Sequence, residues 1–426
     1  MYVQSIKRAF EDFVNPQDSP EVQRGRAVEY VETFRRDLGI RTNKNGRPTL
    51  VASEAARTAD SFSIRDLGIA HLGYHAVESL MEANANDFRV FEAGGASGAI
   101  TPGSIPNVSA FLGSVQGLLD AALLEGYESP EFVIDSLIPV MPSKTKIKKL
   151  LGLGAIGDKS IRRNPGDPHA VAQFADRVVT TQETWNDALS MHVTHEAVYY
   201  DQTGEVLNQA NKIGQSLALR KELDGFGLLV GALNPYNYNG SAYNTYLTSG
   251  NWINDVANEL NDWTDVNVVN AMFSRMTDQE TGNRIAISWD TVLCSPTKAL
   301  TAKYIQSATQ VETRTASGTE VRSGGNLGDT KKIVSSPYLD QVLTSAVAAG
   351  GLNLSQSNAD QYWWALKTAK GMSAFVRCEN WPFRVQRSRP DDHFARDHKV
   401  ILSVFADQMH SFDVQEPRAV IRCKNE

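Results

Sequence analysis

The stretch LLEGYESPEFVIDSLIPVMPS, residues 123–143, separates two segments of opposite character. Before it, apolar residues recur at spacings of three and four, which predicts a helix that begins near Asn107. Gly126 and Pro130 then interrupt the chain. After it, residues 144–201 form a long, polar and mixed segment. The apolar face of the helix comprises Val108, Phe111, Leu112, Val115, Leu118, Leu119 and Ala122.

The polar segment is predicted to be two extended arms around a tip. The outgoing arm, KTKIKKLLGLG, carries lysine at positions 144, 146, 148 and 149. The tip, RRNPGDPHA at residues 162–170, is rich in the turn residues proline and glycine. The returning arm, residues 176–201, is predicted to be mostly strand. Few of these residues could bury a core of their own, so we expect the arms to be ordered against another surface.

The rest of the chain predicts an α+β fold in which helices and strands are segregated. Thr203-Gly204-Glu205 is predicted to open a long helix that ends in DGFGLLVG, residues 224–231. The C-terminal part, from about residue 371, reads as a succession of strands. Further predictions are a helical stripe of Trp252, Val256, Leu260 and Trp263, a half-buried strand at Ile285, Ile287 and Trp289, a helix that starts at Ser295-Pro296, a flexible loop over 315–332, and helices over residues 1–95.

Composition excludes several classes of protein. The chain has 426 residues, enough for two or three folded units, and a formal net charge of −7. Sequence-specific DNA-binding domains usually carry a basic face, so this charge argues against DNA reading. The three cysteines, Cys294, Cys378 and Cys423, form no disulfide pattern and favour a reducing compartment. Neither a signal peptide nor a membrane-spanning apolar run is predicted.

The glycines of LLGLGAIGDKS, residues 150–160, match the G-x-G-x-x-G pattern of nucleotide-binding loops. Such a loop follows a buried parallel strand and opens a helix. Here the preceding run is rich in lysine, and Pro165 prevents a long helix afterwards. Asp158 also separates Gly157 from Lys159, which breaks the phosphate-loop motif. A turn in an extended hairpin is favoured, and a nucleotide-dependent enzyme remains the less favoured alternative.

No catalytic, cofactor or metal site is predicted, so the chain is expected not to be an enzyme. His71 and His75 have a helical ligand spacing but no third ligand is suggested. His192 and His195 are predicted to point to opposite faces of a strand. The adjacent Trp363 and Trp364 are predicted to lie in a core or an interface.

The order of these segments resembles the major capsid protein of tailed bacteriophages, with the Hong Kong 97 fold. The likeness runs from about Val108 to the C-terminus, and the phrases ENWPF (379–383) and PRAVIR (417–422) carry part of it. It implies a helical N-terminal extension over 1–92 that departs from the family core, and an arm and helix over 93–142. It also implies an extended hairpin over 143–200, a peripheral domain with a long spine helix (201–231 and 371–426) and an axial domain (232–370).

The resemblance implies a subunit of an icosahedral shell around the double-stranded DNA of a tailed phage or prophage. The expected partners are further copies of the chain in pentamers and hexamers, portal protein, and scaffold or decoration proteins. DNA would be held non-specifically on the inner face, and no membrane partner is expected. Localisation would be the virion, after assembly in the bacterial cytoplasm. The alternative with the same fold is an encapsulin-like cellular compartment, which would hold enzyme cargo instead of DNA.

Contacts between subunits are expected along the hairpin, and no cofactor is. The basic stretch from Lys144 to Lys149 could contact phosphate or could be a solvated arm that meets acidic neighbours, and the second interpretation is favoured. Some members of the resembled family cross-link subunits through lysine and asparagine, but no lysine here can be matched to that chemistry. The candidate contact residues are Lys146, Lys148, Lys149, Gly152, Gly154, Gly157, Lys159, Arg162, Arg163 and Trp185.

Overall fold

The computed structural model describes most of the chain beyond residue 104 and short parts of the region before it. The described residues are 22, 26, 29–33, 40–42, 48–50, 105–151, 178–200, 204–233, 236–250, 252–278, 282–307, 310–315, 318–323, 331–345, 351–369, 372–388 and 400–424. Compactness divides the chain into two units. The first comprises Met1–Ser129, Asn186–Leu219 and Trp381–Gln408, and the second comprises Pro130–Trp185, Arg220–Asn380 and Met409–Glu426.

Helices and strands both contribute, as the predicted α+β class requires. The helices are α1 (Ile105–Tyr127), α2 (Ile134–Leu137), α3 (His195–Tyr200), α4 (Glu205–Val230), α5 (Trp263–Arg275), α6 (Pro296–Ser307), α7 (Pro337–Thr344) and α8 (Gln356–Ala359). Among the described residues, none of these helices combines the length and the apolar character that crossing a membrane requires.

The strands range from two to fifteen residues in length. They are β1 (Ile40–Thr42), β2 (Pro48–Leu50), β3 (Val140–Pro142), β4 (Lys149–Leu151), β5 (Val178–Thr180), β6 (Trp185–Thr194), β7 (Asn237–Tyr238), β8 (Ser241–Ala242), β9 (Asp255–Ala257), β10 (Thr291–Cys294), β11 (Gln310–Thr315), β12 (Gly318–Ser323), β13 (Lys332–Ser335), β14 (Trp363–Leu366), β15 (Phe375–Ser388), β16 (Val400–Val414) and β17 (Val420–Lys424).

In the first unit, α1 and α4 cross with their backbones in close contact. A Cβ atom on Gly126 would overlap the Asn211 carbonyl, and one on Gly214 would overlap the Leu123 carbonyl. Gly126 therefore lies inside the helix as a contact residue, and α1 ends one residue later at Tyr127. The Tyr127 ring stacks on Phe383 with centroids 4.3 Å apart, which packs the end of α1 on β15.

In the second unit, a sheet of order β13-β10-β14-β17-β9 holds the main apolar core. Strand β14 runs antiparallel to both β10 and β17, whereas β13 and β9 are parallel to their neighbours. Trp363 and Trp364 on β14 are both fully buried, which confirms their prediction as core residues. Arg422 on β17 forms a bidentate ion pair with Asp255 on β9, at 3.0 and 2.8 Å, and ties the C-terminal strand into the sheet.

The long helix predicted from Thr203-Gly204-Glu205 is α4, and its predicted start is confirmed. Its end at Val230 lies within the predicted stretch, residues 224–231, because Gly225 and Gly227 do not break the helix. Only Gly231 ends the helix, with φ of +84°, a conformation that favours glycine at this position. The helix predicted at Ser295-Pro296 is α6.

The predicted helical stripe from Trp252 to Trp263 was wrong. Val256 lies in β9, whose pairing with β17 holds residues 255–257 extended. The helix α5 begins only at Trp263, because Asp262 accepts a hydrogen bond from the Thr264 N–H at 2.7 Å and Asp265 completes a capping box. The pairing of β9 with β17 thus determines the local structure, although the apolar residues have helical spacing.

Four other local predictions need correction. Residues 195–200 form a helix rather than a strand, because Thr194 Oγ1 accepts a hydrogen bond from the Ala197 N–H at 3.2 Å. Within the loop predicted over 315–332, residues 318–323 form strand β12, which pairs with β11. Residues 285–289 alternate in burial as predicted but lie outside the named strands. The N-terminal region is not wholly helical, since β1 pairs with β2.

A substitution at the helix crossing tests this packing. Gly214→Ala is expected to lower the free energy of unfolding by about 3 kcal/mol, because its methyl group forces the α1 backbone away. Urea unfolding of the unassembled subunit would measure the loss. The control Ser216→Ala, at an exposed position two residues further along α4, should change it by less than about 0.5 kcal/mol. Equal effects of the two variants would contradict the close approach.

Candidate functional site

The two arms of the predicted hairpin are paired at their base in the second unit. Strands β4 and β5 are antiparallel, with Leu150 opposite Val179 and both side chains buried. The pairing continues past the strands, since the Thr181 N–H donates to the Lys148 carbonyl at 2.9 Å and the Thr184 N–H to the Lys146 carbonyl at 3.0 Å. The polar arms therefore start from an ordered base.

The outgoing arm is fixed by the first half of β15. Strand β3 runs parallel to β15 with Val140 opposite Arg377. The Ser143 N–H then donates to the Glu379 carbonyl at 2.8 Å, and Asn380 Nδ2 donates to the Thr145 carbonyl at 3.3 Å. These bonds hold the chain as it leaves the body of the second unit.

The returning arm is fixed by a buried carboxylate on β16. Asp413 Oδ1 accepts a hydrogen bond from the Gln182 N–H at 2.6 Å, and Oδ2 accepts one from Ser411 Oγ at 2.7 Å. Burial raises the pKa of Asp413 to about 6, although both hydrogen bonds oppose the shift. Asp413 therefore changes its charge in a mildly acidic range while it holds the base of the arm.

A buried charge cluster holds the segment before β3. Asp135 on α2 pairs with the Arg377 guanidinium and, at 2.8 Å, with Lys221 Nζ. Both cations are almost wholly buried, so they need this partner to offset their desolvation.

The carboxylate of Glu222 lies beside this cluster. It accepts hydrogen bonds from the N–H groups of Val133 and Ile134 at 3.0 and 2.9 Å, at the start of α2. Burial raises the pKa of Glu222 despite these bonds. Burial and the nearby Arg377 charge lower the pKa of His410 to about 3, so this histidine is neutral near pH 7.

Four of the predicted contact residues lie within the described part of the chain. Lys146 Nζ pairs with Glu183 Oε2 at 2.7 Å on the exposed surface, and Lys148 Nζ donates to the Pro142 carbonyl at 2.8 Å. Lys149 is exposed on β4 opposite Thr180. Trp185, the first residue of β6, leaves 71% of its surface exposed. The other six, Gly152, Gly154, Gly157, Lys159, Arg162 and Arg163, lie outside the described residues, as do His71 and His75.

Residues 186–194 of strand β6 lie in the first unit. In that unit the strand order is β15-β16-β6, so β6 presents a free edge there among the described residues. Of its ten residues only Val193 is fully buried, and Leu189 is exposed. His192 on the same strand contacts Ser403 Oγ through Nδ1 at 2.8 Å. Exposed strand edges with apolar residues are surfaces that favour a partner chain.

The arrangement offers no support for a nucleotide loop. Strand β4, which precedes Gly152, is the outer strand of an antiparallel sheet of order β4-β5-β7-β8. A dinucleotide loop instead follows a central strand of a parallel sheet. This geometry fits a surface that binds protein, with no cluster of three or more metal-ligating side chains among the described residues.

Comparison with known sequences identifies the family. The sequence profile of the phage capsid protein family matches residues 178–423, more than half of the chain. The chain belongs to the phage capsid protein family. It is thus a structural subunit of a capsid, and the predicted recognition is confirmed. No curated protein matches the sequence.

Solved structures with a similar trace include phage proteins at low identity. A phage-related protein from Bordetella bronchiseptica is 14% identical, with 72% of this chain and 96% of that chain covered and a TM-score of 0.42. A Mycobacterium phage Ogopogo structure is 12% identical, with 70% and 94% covered and a TM-score of 0.38. The capsid of a native GTA particle is 12% identical, with 70% and 91% covered and a TM-score of 0.41.

The residues that anchor the arms were not found from the sequence. Asp413 and Gln182 are 231 positions apart, and acidic residues cannot be paired across such distances without a structure. One signal was present. Asp413 lies between the apolar residues Phe412 and Val414 near the end of β16, where a charged residue needs a specific partner.

The Asp413 anchor makes the capsid protein sensitive to pH. Its folded-state pKa of about 6 lies above the value of about 4 expected when unfolded. Its contribution to stability is therefore full below about pH 4 and is lost as the pH rises through about 6. In Asp413→Asn this dependence should disappear, and stability at pH 8 should rise relative to pH 5 by about 1.4 kcal/mol compared with wild type. Urea unfolding at both pH values measures the difference.

A second variant separates charge from hydrogen bonding at the same position. Asp413→Ala leaves the Gln182 N–H without its acceptor and should lower stability at both pH values by about 1–3 kcal/mol. If Asp413→Asn retains the pH dependence of the wild type, another group is responsible and the assignment to Asp413 fails.

Proposed function

We propose that this capsid protein forms an icosahedral shell of the Hong Kong 97 type around the double-stranded DNA of a tailed phage, and that its hairpin lies across a neighbouring copy. The single observation that supports the hairpin contact is the contrast between buried and exposed groups at the base of the hairpin. Buried groups fix the arms from within, whereas Trp185 and the apolar Ile147 face solvent. A tryptophan exposed to this extent on an otherwise polar surface favours a protein interface, since its large ring is a common anchor there.

The energy of the contact would come mainly from the aromatic side chain. Tryptophan is among the residues that dominate interfaces, since burial of its large ring removes much apolar surface from water. The neighbouring Lys146–Glu183 pair is exposed and adds little to stability by itself. Lys146, Lys148 and Lys149 would instead orient the arm against acidic groups of the neighbouring copy.

The predicted division of the chain is part of the proposal. Residues 143–200 would be the extended hairpin, 201–231 with 371–426 the peripheral domain, and 232–370 the axial domain. Residues 93–142 would be the N-terminal arm and helix, and 1–92 an extension. The element order supports this division, because α4 follows the hairpin directly and the long strands β15 and β16 come last.

The net charge and the family support the proposed cargo and partners. A net charge of −7 suits a container that confines DNA without gripping it, so DNA contacts would be few and non-specific. Assembly would take place in the bacterial cytoplasm with portal and scaffold proteins. The encapsulin-like alternative predicts purified shells that contain enzyme cargo and no DNA. The match to phage capsid proteins favours the first function.

Removal of the exposed indole tests the contact. Trp185→Ala should leave the stability of the isolated subunit within about 0.5 kcal/mol, since the side chain is mostly exposed. The protein concentration needed for particles should rise about tenfold, because a buried aromatic anchor is lost. Analytical ultracentrifugation and electron microscopy of the particles measure this. The control Ile253→Ala, also an exposed apolar residue but outside the hairpin, should assemble as wild type does.

Replacement of the outer hairpin tests whether the hairpin as a whole holds neighbouring copies together. A deletion of residues 150–175 would remove the buried Leu150. Because Leu151 and Val178 are paired across antiparallel strands, Asn-Gly can instead replace residues 152–177 as a two-residue turn. The variant should unfold at the same urea concentration as wild type but form no stable particles. Normal particles from this variant would show that the outer hairpin does not hold neighbouring copies together.

A further inference from the structure

An apolar cavity of about 320 Å³ lies in the second unit, between α5, α6 and the sheet. Its walls include Trp263, Val266 and Asn267 from α5, Ala302 and Ile305 from α6, and Trp289 beside the sheet. Ala302 and Trp289 are buried, whereas Asn267 is exposed and Trp263 is partly exposed at the opening. The cavity is large enough to receive an aromatic or aliphatic side chain.

Hydrogen bonds fix the polar side of this cavity. Trp289 Nε1 donates to Asn270 Oδ1 at 2.7 Å, and Lys331 Nζ donates to the Trp289 carbonyl at 3.0 Å. The same ammonium group lies 4.9 Å from the centroid of the Trp289 ring. Gln306 Nε2 donates to the Lys331 carbonyl at 2.9 Å. The wall formed by Trp289 is therefore preorganised, which lowers the cost of binding.

The opposite face of α6 projects two apolar side chains into solvent. Leu300 and Tyr304 are 70% and 74% exposed. A helix with 3.6 residues per turn places these two on one side, about 170° from the mean direction of Ala302, Ile305 and Gln306, which line the cavity. One helix thus carries an apolar projection on one face and part of an apolar cavity on the other.

Charges on the two surfaces are complementary. Lys303 lies beside Tyr304 on the projecting side of α6, and α6 contains no acidic residue. Glu259, Asp262 and Asp265 lie around the start of α5, next to the cavity residues Leu260 and Trp263. Opposite charges at the edges of an apolar contact favour one orientation of the partner.

We propose that Leu300 and Tyr304 of one copy of this chain dock into the cavity of the next copy, head to tail. A contact between two different faces, repeated from copy to copy, closes into a ring when the rotation permits. Such a contact needs a projecting surface and a receiving surface on different faces. Helix α6 carries the projection on one side and part of the cavity on the other. The proposal rests on the proposed shell function and adds to it which side chains join neighbouring copies.

Site-directed cross-linking tests the direction of the contact. Ser307→Cys, on the projecting face, is combined with Asn267→Cys at the cavity opening, and a short bismaleimide is added to assembled protein. Both positions are exposed, whereas the native Cys294, Cys378 and Cys423 are buried. The double variant should give a ladder of cross-linked species that ends at a closed ring, and each single variant should stay monomeric. Dimers from the Ser307→Cys single variant would indicate a symmetric contact and overturn the proposal.

Two substitutions test the two surfaces independently. A Leu300→Ala, Tyr304→Ala double variant removes the projection, and Asn267→Trp blocks the opening from its exposed edge. Each should raise the protein concentration needed for particles at least about tenfold, with unfolding unchanged. When mixed, the two variants should form a heterodimer, because one intact projection meets one intact cavity. Ile253→Ala remains the matched control.

The outcomes separate this contact from the proposed function. Wild-type protein that forms neither rings nor particles contradicts both. Wild-type particles without a ladder, or normal assembly of Asn267→Trp, contradict this contact alone and leave the cavity to a different occupant, such as a small apolar molecule or another protein.

Discussion

The hairpin depends on the neutralisation of two buried cations at its root. Arg377 and Lys221 are almost wholly inside the second unit, and Asp135 is placed between them. Loss of Asp135 would leave these cations with less compensation for their burial, although Glu379, at 3.3 Å from Arg377, would remain as a carboxylate partner of the guanidinium. Because Asp135 lies just before β3 and Arg377 lies opposite Val140 on β15, the same pairing sets where the outgoing arm leaves the unit.

The elements that the sequence predicted well are those whose own side chains determine them. The apolar faces of α1 and α4 recur at helical spacing, and their buried members, such as Leu118 and Leu217, follow that pattern. Pro296 at the first turn of α6 is a local signal that needs no tertiary context. The pairing of β1 with β2 also has a local signal in the sequence, the Asn45-Gly46 dipeptide between the two strands, which favours a hairpin turn.

The elements that were mispredicted are those that distant residues determine. Val256 has helical spacing to Trp252 and Leu260. It nevertheless lies in a strand, because it pairs with β17, which is more than 160 positions away in the sequence. The contact region shows the same limit. Trp185 and the lysines of the arm could be named as surface residues, whereas the role of Asp413 follows only from its contact with Gln182. The sequence indicates which residues can contact a partner, whereas the structure is needed to identify the residues that hold them in position.

A shell subunit must be stable alone and yet associate many times with copies of itself. In this chain the strong interactions are internal, as in the bidentate Arg422–Asp255 pair and the cluster around Asp135. The outward surfaces carry isolated apolar side chains with exposed charges beside them, at Trp185 and at Tyr304. Each such contact is weak by itself, so an isolated pair of subunits can separate and correct its position. A closed shell is stable because every subunit makes several of these contacts at once, and the effective concentration of each contact rises as the others form.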